Sequence, residues 1–135
     1  MIEDLLYCLS VIIGRTLEVI YKTSATNVSQ LLIHFVNDIQ MVINENRVVD
    51  AYEIAICRQL QASVQEFHEK NEFGAFIFIV REIFKCYLEN KPLKIMDYVA
   101  PKFESRAGNI KRLLDEYRSQ VDYSLSPLRT IDDLS

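Results

Sequence analysis

The side chains that could carry out chemistry are few in this sequence and lie far apart. Three cysteines and two histidines occur among 135 residues, namely Cys8, Cys57, Cys86, His34 and His68. Zinc sites and disulfide frameworks use paired or closely spaced cysteines, and a nucleophilic thiol needs a histidine as its base. None of these spacings is present. We therefore expect three free, buried thiols in a reducing compartment, with no metal and no cofactor.

The sequence also lacks the motifs of phosphate binding and of acid–base catalysis. Its three glycines, Gly14, Gly74 and Gly108, are isolated, whereas a phosphate-binding loop needs several glycines close together. No pair of carboxyl groups falls within an apolar run, where burial would raise the pKa of a general acid. The sequence predicts a binding protein rather than an enzyme.

Charge and composition narrow the fold and the partners. The net charge is −4 and the 15 lysines and arginines are scattered, so we expect neither a nucleic-acid interface nor a polybasic membrane patch. Glycine and proline together number six of the 135 residues, whereas their usual share of a sequence, about 12%, would be more than twice as many. A sandwich or barrel of short strands needs more turns than these residues can supply. An all-α domain is the expected class.

The N-terminal apolar stretch, residues 5–13, has the wrong length and the wrong flank for a targeting segment. Glu3 and Asp4 precede it where a signal peptide would carry basic residues. The stretch is also far shorter than the roughly 20 residues that cross a bilayer. We expect no integral membrane segment and a cytoplasmic location.

Apolar residues recur at steps of three and four through the first half of the chain, which is the period of amphipathic helices. Asn27 with Gln30, and Asp50 with Glu53, have the spacing of helix-capping boxes. The pattern predicts helices over residues 2–22 and 27–45 and from residue 50 to 67.

Residues 72–89 begin with a continuous apolar run. The run from Phe73 to Val80 has no polar face, which is typical of a helix buried on every side. We therefore expect this helix at the centre of the domain, with the other helices packed around it.

The C-terminal third is predicted to consist of short helices followed by a tail. Pro92 and Pro101 suit the first turn of new helices, and Gly108 with Asn109 indicates a break before a last amphipathic helix. This gives six or seven helices in one domain over residues 1–118, and a tail without a membrane anchor over residues 119–135.

Two short segments resemble the signature of the Bcl-2 family of apoptosis regulators. Val64-Gln65-Glu66-Phe67-His68 is similar to the family's Val-x-Glu-Leu-Phe segment. After a short charged turn, Glu72-Phe73-Gly74-Ala75 is similar to its Asn-Trp-Gly-Arg segment, and an apolar helix follows as in the family. In its shortness the chain is similar to the Bcl-2 homologues of large DNA viruses. The resemblance implies a Bcl-2-like bundle around residues 72–89.

The resemblance also implies a function and a site. Pro-survival members of the family bind the BH3 helix, a short amphipathic helix of pro-apoptotic proteins such as Bim, in an apolar groove. In this chain Gly74 would let the bound helix approach closely, because any Cβ there would meet the ligand backbone. The implied groove residues are Phe35, Ile39, Ile43, Leu60, Val64, Phe67, Phe73, Gly74 and Ile77.

One position departs from the family pattern. Ala75 stands where the family has the arginine that pairs with an aspartate of the BH3 helix. Arg58, on the preceding amphipathic helix, is the candidate for a substitute partner of that aspartate.

The resemblance leaves the state of the groove open. An exposed apolar groove is unusual in a soluble monomer, so we expect either the 119–135 tail or a second copy of the chain, as a homodimer, to cover it. As an apoptosis inhibitor the protein would act in the cytoplasm of a host cell and reach mitochondria through its partners. The alternative is a helical scaffolding or oligomerisation module without enzymatic activity.

Overall fold

The structure is a computed structural model that describes residues 2–23, 27–47 and 50–125. Its five α-helices are α1 (Ile2–Lys22), α2 (Val28–Val42), α3 (Ala51–Val64), α4 (Lys70–Glu89) and α5 (Pro101–Leu125). A π-helical turn (Ile43–Arg47) follows α2, and a 3-10 turn (Lys94–Tyr98) joins α4 to α5. The described ranges contain no strand. The predicted all-α class is confirmed, with five α-helices and two short helical turns.

Local side chains begin two of these helices where the sequence predicted. The Asn27 side chain accepts a hydrogen bond from the backbone N–H of Gln30, 3.3 Å away, at the start of α2. The Asp50 carboxylate accepts from the N–H groups of Tyr52 and Glu53 at 2.7 and 3.4 Å, at the start of α3. Both N-caps satisfy backbone donors that have no partner within the helix.

Helix α4 packs against α1, α3 and α5. It runs antiparallel to α1, since Gly74 near its start lies beside Tyr21, and Arg81 lies beside Gly14. It is not buried on every side, because Phe78 is 39% exposed and Lys85 faces solvent. Its buried residues are Phe73, Gly74, Phe76, Ile77, Ile79, Val80, Ile83 and Phe84.

The break that we expected at Gly108 and Asn109 does not occur. Helix α5 is continuous over 25 residues, because four of its side chains at helical spacing are buried in the core: Phe103, Ala107, Ile110 and Leu114. This burial outweighs the roughly 1 kcal/mol by which glycine disfavours a helix interior. Residues 119–125, which the sequence predicts to be part of the tail, continue α5. The rest of the predicted tail, residues 126–135, lies outside the described residues.

The three thiols are free; Cys57 is buried, whereas Cys8 and Cys86 are half-buried. In the described part of the chain, no helix is long and apolar enough to cross a bilayer. No cluster of three or more metal-ligating side chains is found there either.

Candidate functional site

Most of the predicted groove residues lie in the core and line no open groove in this conformation. Phe35, Ile39, Leu60, Val64, Phe67, Phe73 and Ile77 are each at most 4% exposed. Gly74 is also buried, and only Ile43 is partly exposed. The reason is that α2 packs against α1 and α3 and that its Phe35 ring reaches Phe73 of α4. The edge of the Phe35 ring meets Phe73 with the ring centroids 5.6 Å apart.

Gly74 faces α1 in this conformation. A Cβ built at this position would lie 2.9 Å from the hydroxyl oxygen of Tyr21 and 3.5 Å from Cγ2 of Ile20. Glycine therefore makes room here for the Tyr21 ring. In this conformation no bound helix is needed to explain why residue 74 lacks a side chain.

The antiparallel pair α2 and α3 leaves an open cleft at one end. Its volume is about 420 Å³. Ile33, which is 59% exposed, is its most accessible apolar residue. The cleft lies between the N-terminal half of α2 and the turn after α3, and its lining residues are Ser29, Leu32, Ile33, Val36, Asn37, Gln65 and His68.

At the other end a polar network joins α2 to α3. We call Gln40, Arg58 and Gln61 the clasp. Nη1 of Arg58 donates to Oε1 of Gln40 at 2.6 Å and to Oε1 of Gln61 at 3.0 Å. Nε2 of Gln61 donates to the Val36 carbonyl at 3.1 Å and to Oε1 of Gln40 at 3.2 Å. Gln40 itself donates to Oδ1 of Asn44 at 2.9 Å.

Arg58, the predicted partner of a ligand aspartate, is held by hydrogen bonds within the clasp. Its Nη1 bonds two neutral amide oxygens, while the residue as a whole is exposed. An arginine binds a carboxylate more tightly than a neutral amide oxygen, because both partners are charged and two parallel N–H···O bonds can form. Arg58 is therefore engaged in the described conformation by acceptors that a carboxylate could displace. Ala75 is half-buried.

The two walls of the cleft are held by different interactions. On the α3 side, Glu66 in the turn pairs with Arg106 of α5. Nearby, Glu72 at the start of α4 pairs with Lys102 of α5 at 2.8 Å. On the α2 side, the polar bonds across the furrow, by which we mean the whole contact line between α2 and α3, are those of the clasp. Helix α5 thus fixes the turn after α3 by charge, whereas the polar contacts from α3 to α2 are made to neutral acceptors and apolar packing does the rest.

The pKa shifts on α3 belong to its buried face. Burial raises the pKa of the Cys57 thiol to about 12, and the Glu53 carboxylate adds to the rise. Burial also raises the pKa of Glu53, which is only 6% exposed, and the nearby Asp50 charge adds to it. A thiol with so high a pKa stays protonated and inert at neutral pH.

The clasp and the cleft were not found from the sequence, although it carries signals of both. Gln61 stands among Cys57, Leu60 and Val64 on the buried side of α3 and is itself only 7% exposed. A polar side chain in that position needs a buried hydrogen-bond partner. Ile33 is the complementary signal, an apolar residue outside the main stripe of α2.

No protein-family model, no curated protein and no solved structure matches this chain. Its function is therefore inferred from the furrow between α2 and α3, with the cleft at one end and the clasp at the other.

Proposed function

We propose that this protein is an apoptosis inhibitor that sequesters pro-apoptotic BH3 helices in the furrow between α2 and α3. Recognition would be of the helix-in-groove type, in which an amphipathic helix inserts apolar side chains at helical spacing. The observation that carries the proposal is the open cleft beside α2, with apolar Leu32, Ile33 and Val36 among its lining residues.

The resemblance to the Bcl-2 family supports the same proposal. Its two segments fall where α3 ends at Val64 and where Phe73 and Gly74 enter the buried start of α4. Between them lies the turn that forms one wall of the cleft. The helix that resembles the family's central helix is the one that packs against α1, α3 and α5.

The proposed binding has two stages. The first apolar side chains of the partner occupy the cleft, which is already open. A full-length helix then needs α2 to move away from α3, and this movement exposes the buried predicted residues, such as Phe35, Leu60 and Phe73. The apolar surface that α2 gives up is covered again by the partner helix, so that the exchange need not lose hydrophobic stabilisation.

Calorimetric titration with a peptide spanning the BH3 helix of Bim tests this proposal. We expect a submicromolar dissociation constant for the full chain. Ile33→Asp should weaken binding at least tenfold, because it places a charge in the apolar cleft. Met41→Asp is the matched control, since Met41 lies on α2 with a similar exposure of 57% but does not line the cleft. Equal effects of both variants, or no binding by the wild type, would contradict the proposal.

A scaffolding or oligomerisation module is the second candidate, and a different surface favours it. Tyr7 and Val11 of α1 are 60% and 51% exposed, and Phe78 of the adjacent α4 is 39% exposed. Several exposed apolar residues on one helix pair are typical of an interaction surface. Sedimentation velocity of Val11→Asp and wild-type protein would show self-association through this face, and a scaffold would bind no BH3 peptide.

A further inference from the structure

We propose that the clasp of Gln40, Arg58 and Gln61 is a latch that holds α2 against α3 in the free protein and opens when a helix binds. This inference rests on the proposed function, because it concerns the regulation of the same furrow. Helix α2 is the element that moves, and an amphipathic helix is the occupant of the opened furrow.

The clasp lies at the closed end of the furrow. Gln61 and Gln40 are joined at 3.2 Å, and the Gln61 amide also reaches the Val36 carbonyl of α2 at 3.1 Å. At the other end, near Ser29 and His68, the cleft separates α2 from the turn after α3. The furrow is therefore open at one end and closed by polar contacts at the other.

The contacts that close the furrow at the clasp are hydrogen bonds of amide and guanidinium groups. When α2 moves away, water can replace the hydrogen bonds of an amide or a guanidinium, so that each bond contributes little net stability. A leucine at the position of Gln61 would instead expose apolar surface on opening. A buried glutamine at the α2–α3 contact thus helps to close the furrow without adding to the apolar surface that opening exposes.

The two walls of the furrow are held by different polar contacts. Arg106 of α5 pairs with Glu66, and Lys102 pairs with Glu72, so the turn after α3 is tied to the rest of the bundle. Across the furrow, the polar contacts of the clasp hold α2 through neutral acceptors, in addition to the packing of its buried side chains and its contact with α1. If the furrow opens, α2 is the wall that moves.

The latch makes a quantitative link between opening and affinity. When only a fraction of the molecules is open, the apparent dissociation constant is the intrinsic one divided by that fraction. Loosening the clasp should therefore accelerate local opening and tighten peptide binding by similar factors.

The experiment measures amide hydrogen exchange along α2 in the full chain, and binding of the Bim BH3 peptide, for three variants. Gln40→Ala removes an acceptor of both Arg58 and Gln61; we expect exchange in α2 to become fivefold to tenfold faster and binding to tighten comparably. Gln61→Leu should slow exchange and weaken binding at least threefold. Val36 keeps its helical hydrogen bond and Arg58 can bond water, so this change leaves no buried polar group unpaired. Gln59→Ala, also on α3 but outside the clasp, is the control.

Three outcomes are distinguishable. Opposite shifts of Gln40→Ala and Gln61→Leu in both measurements support the latch. Exchange in α2 that changes no more than in Gln59→Ala, with normal peptide binding by the wild type, overturns the latch and leaves the proposed function intact. Faster exchange in Gln40→Ala without peptide binding by any variant supports closure by the clasp and overturns the proposed function.

Discussion

The substitution Gly74→Ala separates two interpretations of the most distinctive glycine in the chain. The family resemblance implies that a Cβ at residue 74 would press on a bound helix. The structure instead places this Cβ 2.9 Å from the hydroxyl oxygen of Tyr21 and 3.3 Å from its Cζ. Because Tyr21 is 62% exposed, its ring can swing outward into solvent when the methyl group is added.

The magnitude follows from two opposing contributions. Alanine in place of glycine in a helix interior stabilises by about 1 kcal/mol. About two fifths of the Tyr21 side chain, whose full surface is ~200 Å², is buried. Exposing all of that buried surface would cost ~2 kcal/mol at ~25 cal/mol per Å². Only its outer ring must move, which costs about half of that. We expect Gly74→Ala to change the free energy of unfolding by less than about 1 kcal/mol.

Urea denaturation in two backgrounds isolates the contact. With Tyr21→Ala already in place, Gly74→Ala should stabilise by about 1 kcal/mol, because the clash is gone and the helix preference remains. Gly108→Ala is the matched control for helix preference alone, since a Cβ there would have no neighbour within 4 Å; it should stabilise by about 0.5–1 kcal/mol.

Binding of the Bim BH3 peptide completes the test. If Gly74 faces only α1, the affinity of Gly74→Ala stays within threefold of the wild type. A tenfold loss of affinity at unchanged stability would mean that residue 74 meets the ligand once the furrow opens. A loss of more than about 2 kcal/mol in both backgrounds would refute the assignment of the close contact to Tyr21.

Three further predictions concern the end of α4, a buried carboxyl and the ligand aspartate. Arg118→Ala should lower the free energy of unfolding by about 1–2 kcal/mol. Its guanidinium donates to Asn90 at 2.8 Å and lies 3.9 Å from the ring centroid of Tyr87; a loss below about 0.3 kcal/mol in urea denaturation would contradict this. Glu53→Gln should raise the melting temperature at pH 7, and the gain should vanish as the pH falls below 4.5, the ordinary pKa of the carboxyl. The sign follows because burial raises the pKa of Glu53, so the cost of ionising it in the folded state is absent below its unfolded pKa and complete above its folded pKa; a gain that is constant between pH 4 and 8 would contradict it. If Arg58 stays bound to Gln40 and Gln61 and no other cation takes the place of the family arginine, replacing the BH3 aspartate by alanine in the peptide should cost under about 1 kcal/mol, rather than the 2–5 kcal/mol of a broken buried charge pair. A larger loss in calorimetry that persists on Arg58→Ala protein would show that another cation binds the aspartate.

The helices themselves could be predicted from the sequence because their determinants are local. The 3.6-residue period of apolar side chains needs only neighbouring turns, and the N-caps at Asn27 and Asp50 act within three residues. The same locality explains the misplaced break at Gly108. A helix preference of about 1 kcal/mol is visible in the sequence, whereas the burial of Ala107 and Ile110 that overrides it is not.

The candidate site depended on contacts between helices that are distant in sequence. An apolar stripe shows that a helix face will be covered, but it does not show whether another helix of the same chain or a bound partner covers it. For Phe35, Leu60 and Phe73 the cover is the packing of α2, α3 and α4.

The sequence by itself thus determined the all-α class and the positions of α1 to α4, because these follow from the short-range periodicity of apolar side chains and from local N-caps. Only the tertiary structure decided that Gly74 faces Tyr21, that Arg58 is held by Gln40 and Gln61, and that a cleft remains beside Ile33. Each of these depends on the rotation of one helix against another. That rotation is set by the packing of whole surfaces, to which residues far apart in the chain contribute together.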